Sequence, residues 1–204
     1  MIQAVFFDYD GVLAKDATGT LTTCRFLSER TGVPYESFRS AFKVHGDDVR
    51  VGKRTRADTW PDVCRMLGRD ISPGLLVEAY ESTRPNDAMF ELARSLRARY
   101  TVGIITDNSR DRFERLKLQQ GLPDLFAPIV VSAEVGCTKS GEAIFQCALA
   151  AAGGIEAANA VFIDNTRSNV ELAAKLGMKG VHFDDASNDV GALIRRLADE
   201  HGVR

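Results

Sequence analysis

The chain has 204 residues, 45% hydrophobic and 26% charged, which supplies one full core with room for an insertion and excludes a disordered or coiled-coil protein. A formal net charge of −2 and a pI near 6.0 give no global attraction to nucleic acid or to an anionic membrane, so any anionic ligand must be held by a local site. No segment approaches the roughly 18 consecutive apolar residues of a membrane helix, and the opening MIQAVFFDYDG has neither a basic leader nor a small-residue cleavage site, so a soluble, cytoplasmic protein is expected.

In chain order, the first element is an apolar strand, Ala4–Phe7, which runs straight into Asp8, Tyr9, Asp10 and Gly11. From Lys15 to Arg84 no convincing strand follows. Tyr35, Phe38 and Phe42 share one helical face, as do Trp60, Val63, Cys64 and Leu67, and Thr55 with Asp58 three residues on has the form of a capping box. Residues 15–84 therefore read as a small all-α domain inserted into a core built from residues 1–14 and 85–204.

In the core, Met89, Leu92, Ala93 and Leu96 recur with helical spacing and are followed by the apolar runs TVGIIT (Thr101–Thr106) and APIVVS (Ala127–Ser132). AVFID (Ala160–Asp164) is next, then a helix, NVELAAKLG, that stops at Gly177, and then MKGVHF (Met178–Phe183). Strands alternating with helices predict an α/β fold, a three-layer Rossmann-like parallel sheet covered on both faces. Cys24, Cys64, Cys137 and Cys147 are scattered without a C-x-x-C pair, and His45, His182 and His201 are the only histidines, so structural cysteines and no zinc site are expected.

Ligands of open parallel sheets lie beyond the carboxyl ends of the strands. Those ends carry Asp8 with Asp10, Thr106 with Asp107 and Asn108, Ser132 with Glu134, Asp164 with Asn165, and Asp184 with Asp185. Two carboxylates one residue apart repel, and leaving both ionised requires a cation or a proton. A hard, oxygen-loving divalent ion, Mg²⁺, answers this when it is shared with a phosphate. Asp8 is then placed to attack phosphorus and Asp10 to act as general acid and base, with Thr106 and Lys139 available for the phosphoryl group. Each is ambiguous alone: D-x-D is often only a turn, Thr106 and Asp164 ordinary helix caps, Lys139 a surface lysine. Their order along one alternating sheet, with Lys139 opening the helix after its strand, is what joins them.

The set DYDGVL, IITDN, TKSGEAIF and FIDNTRSNVELAAKLGM resembles the four motifs of the haloacid dehalogenase superfamily, in the branch with a helical cap inserted after the first motif. The resemblance covers essentially the whole chain. It implies Asp8 as nucleophile, Asp10 as acid and base with its backbone carbonyl on Mg²⁺, Thr106 and Lys139 on the phosphoryl group, and the region of Asp164 completing the metal site. Haloalkanoic-acid dehalogenases resemble the pattern but lack the second aspartate and need no metal, so Asp10 argues for a phosphatase acting through an aspartyl-phosphate.

Two positions depart from the commonest form, which has Thr-Asn in the second motif and Asp-Asp in the fourth; this chain has Thr106-Asp107 and Asp164-Asn165. The formal charge of the site is unchanged. Strands two and four are expected to flank strand one, so that Asp107 joins the phosphate site while Asn165 offers a neutral oxygen to Mg²⁺ and Asp164 supplies charge. In the third motif Lys139-Ser140-Gly141-Glu142 replaces Lys-Pro-Asp-Pro, which keeps the lysine and loses proline's fixed backbone angle.

Lys53, Arg54 and Arg56 form the one basic cluster of the insertion and are candidates to reach a second anionic or hydroxyl group of the substrate, against the alternative of a solvated loop. The expected partner is a small phosphate ester, such as a sugar phosphate or a phosphoglycolate-like acid, for a monomer or homodimer with no nucleic acid or membrane partner. Three rivals stand beside this reading. They are a phosphomutase resembling β-phosphoglucomutase, a phospho-receiver, disfavoured because its acidic pair is adjacent, and a degenerate scaffold that binds without turnover.

Overall fold

The computed structural model describes residues 1–204. Five strands, β1 (Ala4–Phe7), β2 (Thr101–Thr106), β3 (Ile129–Val131), β4 (Ala160–Asp164) and β5 (Lys179–His182), form one parallel sheet in the order β3-β2-β1-β4-β5. The α/β reading holds, and β1 lies in the middle with β2 and β4 on either side. Ala4 is registered with Thr101 on one side and Ala160 on the other.

The alternation of side chains along a strand divides the core into two layers. Val5 and Phe7 point into one, with Ile104, Val161 and Ile163, whereas Ala4 and Phe6 enter the other with Ile105, Ala160 and Phe162. Both faces being covered, every residue of β1 is buried, which is why a parallel strand reads as an unbroken apolar run.

The insertion contains helices α1 (Gly19–Thr31), α2 (Tyr35–Val44), α3 (Gly46–Arg50), α4 (Arg56–Leu67) and α5 (Pro73–Glu81) and no strand. They enclose an apolar cluster of their own, with Leu27, Phe38, Phe42, Trp60, Val63 and Tyr80 among its members. The capping box is present: the Thr55 hydroxyl accepts from Asp58 N–H and the Asp58 carboxylate accepts from Thr55 N–H. The chain leaves and re-enters the core side by side, Lys15 N–H donating to Arg84 C=O at 3.0 Å and Asn86 N–H to Leu13 C=O at 2.8 Å.

The core continues with α6 (Asp87–Leu96), α7 (Arg110–Gln120) and two single turns, α8 (Leu122–Leu125) and α9 (Ser132–Val135), then α10 (Ala143–Ala151), α11 (Arg167–Lys175) and α12 (Val190–His201). β3 is shorter than the apolar run before α9 because Pro128 has no N–H to give the ladder and Ser132 already starts a helical turn. Lys139 does not open a helix. It lies in a turn closed by Gly141 N–H to Thr138 C=O at 3.1 Å, and α10 begins only at Ala143. No helix is long and apolar enough to cross a membrane.

The helical layer sits over the carboxyl ends of the strands. Ala57 N–H at the head of α4 and the Tyr80 hydroxyl both donate to Asp111 on α7, at 3.1 and 3.2 Å. Gly52, at φ +72°, passes so close to the core that a Cβ there would stand 2.0 Å from the Ala133 carbonyl oxygen. Gly52→Ala is therefore expected to cost about 1–3 kcal/mol, from left-handed backbone strain and the displaced contact together. Thermal unfolding of the variant checks it, and an unchanged midpoint would mean the layer rests on α7 alone.

Candidate active site

Asp8 follows β1 directly, and its N–H donates to Ile163 C=O at 2.8 Å, so the sheet ladder itself fixes the residue. One carboxylate oxygen accepts from Tyr9 N–H at 2.6 Å and the other lies 2.7 Å from Lys139 Nζ. Lys139, 3% exposed, is also 2.7 Å from Asp164 Oδ2. One buried ammonium thus bridges two buried carboxylates. Burial moves the Asp8 carboxyl well above the usual range, with Lys139 opposing it and Asp164 adding to it. For Lys139, burial alone would lower the pKa, but Asp8, Asp164 and Asp107 outweigh it and raise it, so the lysine stays charged.

Asp164, fully buried at the end of β4, has no free oxygen edge. Its Oδ1 accepts from Thr166 N–H at 2.7 Å, and its Oδ2 takes both Lys139 and the Asn169 amide at 3.0 Å. Asn165 lies beside the turn after β1. Its amide group packs against Gly11 so tightly that a Cβ there would come within 2.1 Å of its nitrogen, and Gly11 has φ +78°, which glycine alone adopts freely.

Thr106 ends β2, buried at the cavity wall, and its hydroxyl accepts from the Asn108 amide at 3.3 Å. Asp107 accepts from the Lys139 backbone N–H at 2.9 Å, so the acid in the second motif holds the lysine's turn in place of the missing prolines. Burial raises its pKa, against the pull of Lys139. Asp10 faces away from Lys139: the Arg112 guanidinium holds it in a two-bond fork, at 2.8 and 2.9 Å, and Asn108 donates to it at 2.9 Å.

These residues share one cavity of about 380 Å³. Asp8, Asp10, Thr106, Asp107, Lys139 and Asn165 line it from the core, and Arg50, Arg56 and Tyr80 from the helical layer. Of the basic cluster only Arg56 faces the cavity. Lys53 extends into solvent 3.8 Å from Asp48, and Arg54 is taken up by His45, Asp62 and the Asp58 carbonyl. Arg56 is 8% exposed, donates to Phe42 C=O at 3.2 Å and lies 4.3 Å over the Phe42 ring, yet no carboxylate is within ion-pair distance. Burial lowers its pKa, against the opposing pull of Tyr80 and Asp111.

Arg50, Arg112 and Asn169 were not among the residues singled out in the sequence, and Asn108 was named there only as a strand-end residue. Arg112 lies one helical turn after Asn108, a spacing that puts both over the end of β2, but in RDRFERLKLQQ it reads as one more charge on a solvated face. No three His, Cys, Asp or Glu side chains gather as a cage for a metal. The oxygen donors that do line the cavity, Asp8, Asp10 and Asn165, fit Mg²⁺, which binds through one or two carboxylates and neutral oxygens and takes the rest from water and phosphate.

A family profile described as haloacid dehalogenase-like hydrolase matches residues 2–195. The chain belongs to the haloacid dehalogenase-like hydrolases. Among reviewed relatives, the pyrimidine 5'-nucleotidase YjjG of Escherichia coli is 31% identical, with 79% of this chain and 76% of that protein aligned. Among solved structures, the family enzyme bt-2542 of Bacteroides thetaiotaomicron, in complex with magnesium and inorganic phosphate, superposes with a TM-score of 0.72 at 19% identity, covering 89% of this chain and 94% of that one. The L-2-haloacid dehalogenase of Xanthobacter autotrophicus with chloropropionic acid covalently bound gives 0.67 at 17% identity, over 100% and 85% of the chains. At such identities the structural matches establish the shared fold. As a haloacid dehalogenase-like hydrolase the chain is an enzyme, and its departures at Asp107 and Asn165 are variations within that family.

Proposed function

We propose that the protein is a Mg²⁺-dependent phosphatase of small phosphate monoesters. The observation that supports this best is the convergence of Asp8 and Thr106, at the ends of the adjacent strands β1 and β2, and Lys139, in the turn before α10, on one cavity, with a second carboxylate, Asp10, two residues after the first. An Asp8 oxygen attacks phosphorus opposite the ester oxygen, forming the aspartyl-phosphate as the P–O bond to the leaving group breaks. Asp10, entering this step protonated, gives its proton to the departing alkoxide and becomes the carboxylate that the Arg112 fork holds. It then takes one from water, which attacks phosphorus and frees Asp8. Lys139 and the Thr106 hydroxyl hold the phosphoryl oxygens in both steps.

Bound Mg²⁺ would neutralise charge between the phosphoryl oxygens and Asp8. The residues suited to hold it are Asp8, the backbone carbonyl of Asp10 and the side-chain oxygen of Asn165. Asp164 serves Lys139 instead, because it is fully buried behind the lysine and does not line the cavity. Asn165→Asp, which adds a charged ligand, is expected to tighten Mg²⁺ by about tenfold, one decade of the range that ligand charge tunes in such oxygen sites. Mg²⁺ dependence of turnover and of thermal stability measures it, and an unchanged affinity would remove position 165 from the ligand set.

Arg56 is the residue of the helical layer suited to a second polar or anionic group on the leaving group, since it is buried at the cavity without a carboxylate partner. A cavity of about 380 Å³ suits a metabolite-sized ligand. Phosphate release from sugar phosphates, phosphoglycolate and pyrimidine mononucleotides, with Mg²⁺ and with chelator, tests the proposal; the last class belongs in the panel because of the E. coli relative. Release that requires metal supports it. Silence across the panel, from folded protein, would overturn it in favour of a binder or a mutase, which a bisphosphate-primed assay separates.

A further inference from the structure

The catalytic proposal leaves Arg112 without a task, although it is the most extensively bonded cation in the cavity. Its guanidinium is 4% exposed and makes the two-bond fork to Asp10. It also donates to the side-chain amide oxygen of Asn108 at 2.7 Å and to the Thr83 hydroxyl at 3.2 Å. It stands 5.9 Å over the Tyr9 ring, and its Nε is buried with no hydrogen-bond partner.

Two of these neighbours belong to the connections between the layers. Thr83 lies just after α5, where the chain returns to the core, and Gly19 is the first residue of α1. A Cβ on Gly19 would stand 2.3 Å from an Arg112 nitrogen, so the head of α1 rests directly on the guanidinium. The side chain is thus pinned from α7, from the returning linker and from α1, and what it presents to the cavity is the orientation of the Asp10 carboxylate.

We infer that Arg112 is a positioning residue for Asp10: its planar fork fixes the carboxylate's rotamer for proton transfer to the leaving group, and Thr83 and Gly19 tie that rotamer to the seating of the helical layer. A lysine cannot replace the fork, since it offers one compact charge in place of two parallel donors. This rests on the phosphatase reading, and on Asp10 as the acid.

The test is kcat/KM for a series of phosphate esters whose leaving groups run from nitrophenols to simple alcohols, in the wild type and in Arg112→Gln, Arg112→Lys and Thr83→Val. A nitrophenol departs without a proton, whereas an alcohol needs one. Misplacing Asp10 is therefore expected to lower kcat/KM about 100-fold for alkyl esters, within the contribution of a general acid, and less than about tenfold for nitrophenyl ones. Arg112→Lys behaves like Arg112→Gln, and Thr83→Val shifts the same dependence less. In Asp10→Ala the dependence is already steep, and adding Arg112→Gln steepens it no further, as for two residues acting as one unit.

A uniform fall across the series, with the leaving-group dependence unchanged, would reduce Arg112 to a structural ion pair and overturn the inference. So would full rescue by lysine. If Arg112→Gln does not fold, Thr83→Val carries the test, because it leaves the ion pair in place. A wild type inactive on every ester would sink the phosphatase reading itself, which is a different result from an active enzyme with an unaltered dependence.

Discussion

Asp8→Asn is expected to abolish turnover while the protein stays folded. The amide is isosteric, its oxygen can still accept from Lys139, and the backbone bond from Asp8 N–H to Ile163 is untouched. What disappears is the nucleophile, and losing a covalent nucleophile costs about 10⁴-fold or more in kcat. Two measurements check this: phosphate release from the best ester of the panel, and trapping of the covalent phosphoryl adduct on the quenched protein, seen in the wild type and absent from the variant. A variant that kept more than about one hundredth of the wild-type rate would mean that Asp8 is not the attacking group.

Lys139→Met should damage both activity and stability, and through one cause. Lys139 stands 2.7 Å from Asp8 and 2.7 Å from Asp164, which are 9% and 0% exposed at their side chains. Methionine fills the space and leaves two buried carboxylates facing each other without a cation. Removing one partner of a buried ion pair costs about 3–5 kcal/mol, which for a chain of this size is about 6–20 °C in Tm. The rate should fall by at least about 100-fold, the worth of one strong donor to a developing phosphoryl charge. Adding Asp164→Asn to the variant is expected to recover part of the Tm and none of the activity, because it removes the repulsion and restores no phosphate contact. A single variant melting within about 2 °C of wild type would show that the carboxylates find other partners.

The fold was legible because β1, β2 and β4 are buried on both faces and so appear as Val, Ile and Phe runs that no helix pattern mimics. Candidate site residues were legible for a related reason: a parallel sheet puts all its strand ends on one edge, so order along the chain stands in for proximity. Partners were harder to see. Whether Asp164 faces Lys139 or the opposite side depends on the side-chain rotamer of the last residue of a strand, and no periodicity records that. The basic cluster shows the limit most clearly. Lys53 and Arg54 are drawn off by Asp48 and Asp62, acids near them in the sequence, and the arginine left facing the cavity is the one with no acid beside it.

The central position of β1 also governs how the chain comes together. Ala4 pairs with Thr101 on one side and Ala160 on the other, so the wholly apolar strand that leads to Asp8 is synthesised before either of its neighbours. Helices α1 to α5 emerge in that interval with an apolar cluster of their own to bury. The two linkers, once paired from Lys15 to Arg84, bring β1 next to the segment that leads to β2 and shorten the search. The linker pairing thus sets the loop that closing the sheet must span: β1 completes both of its ladders only with partners that lie beyond the five helices.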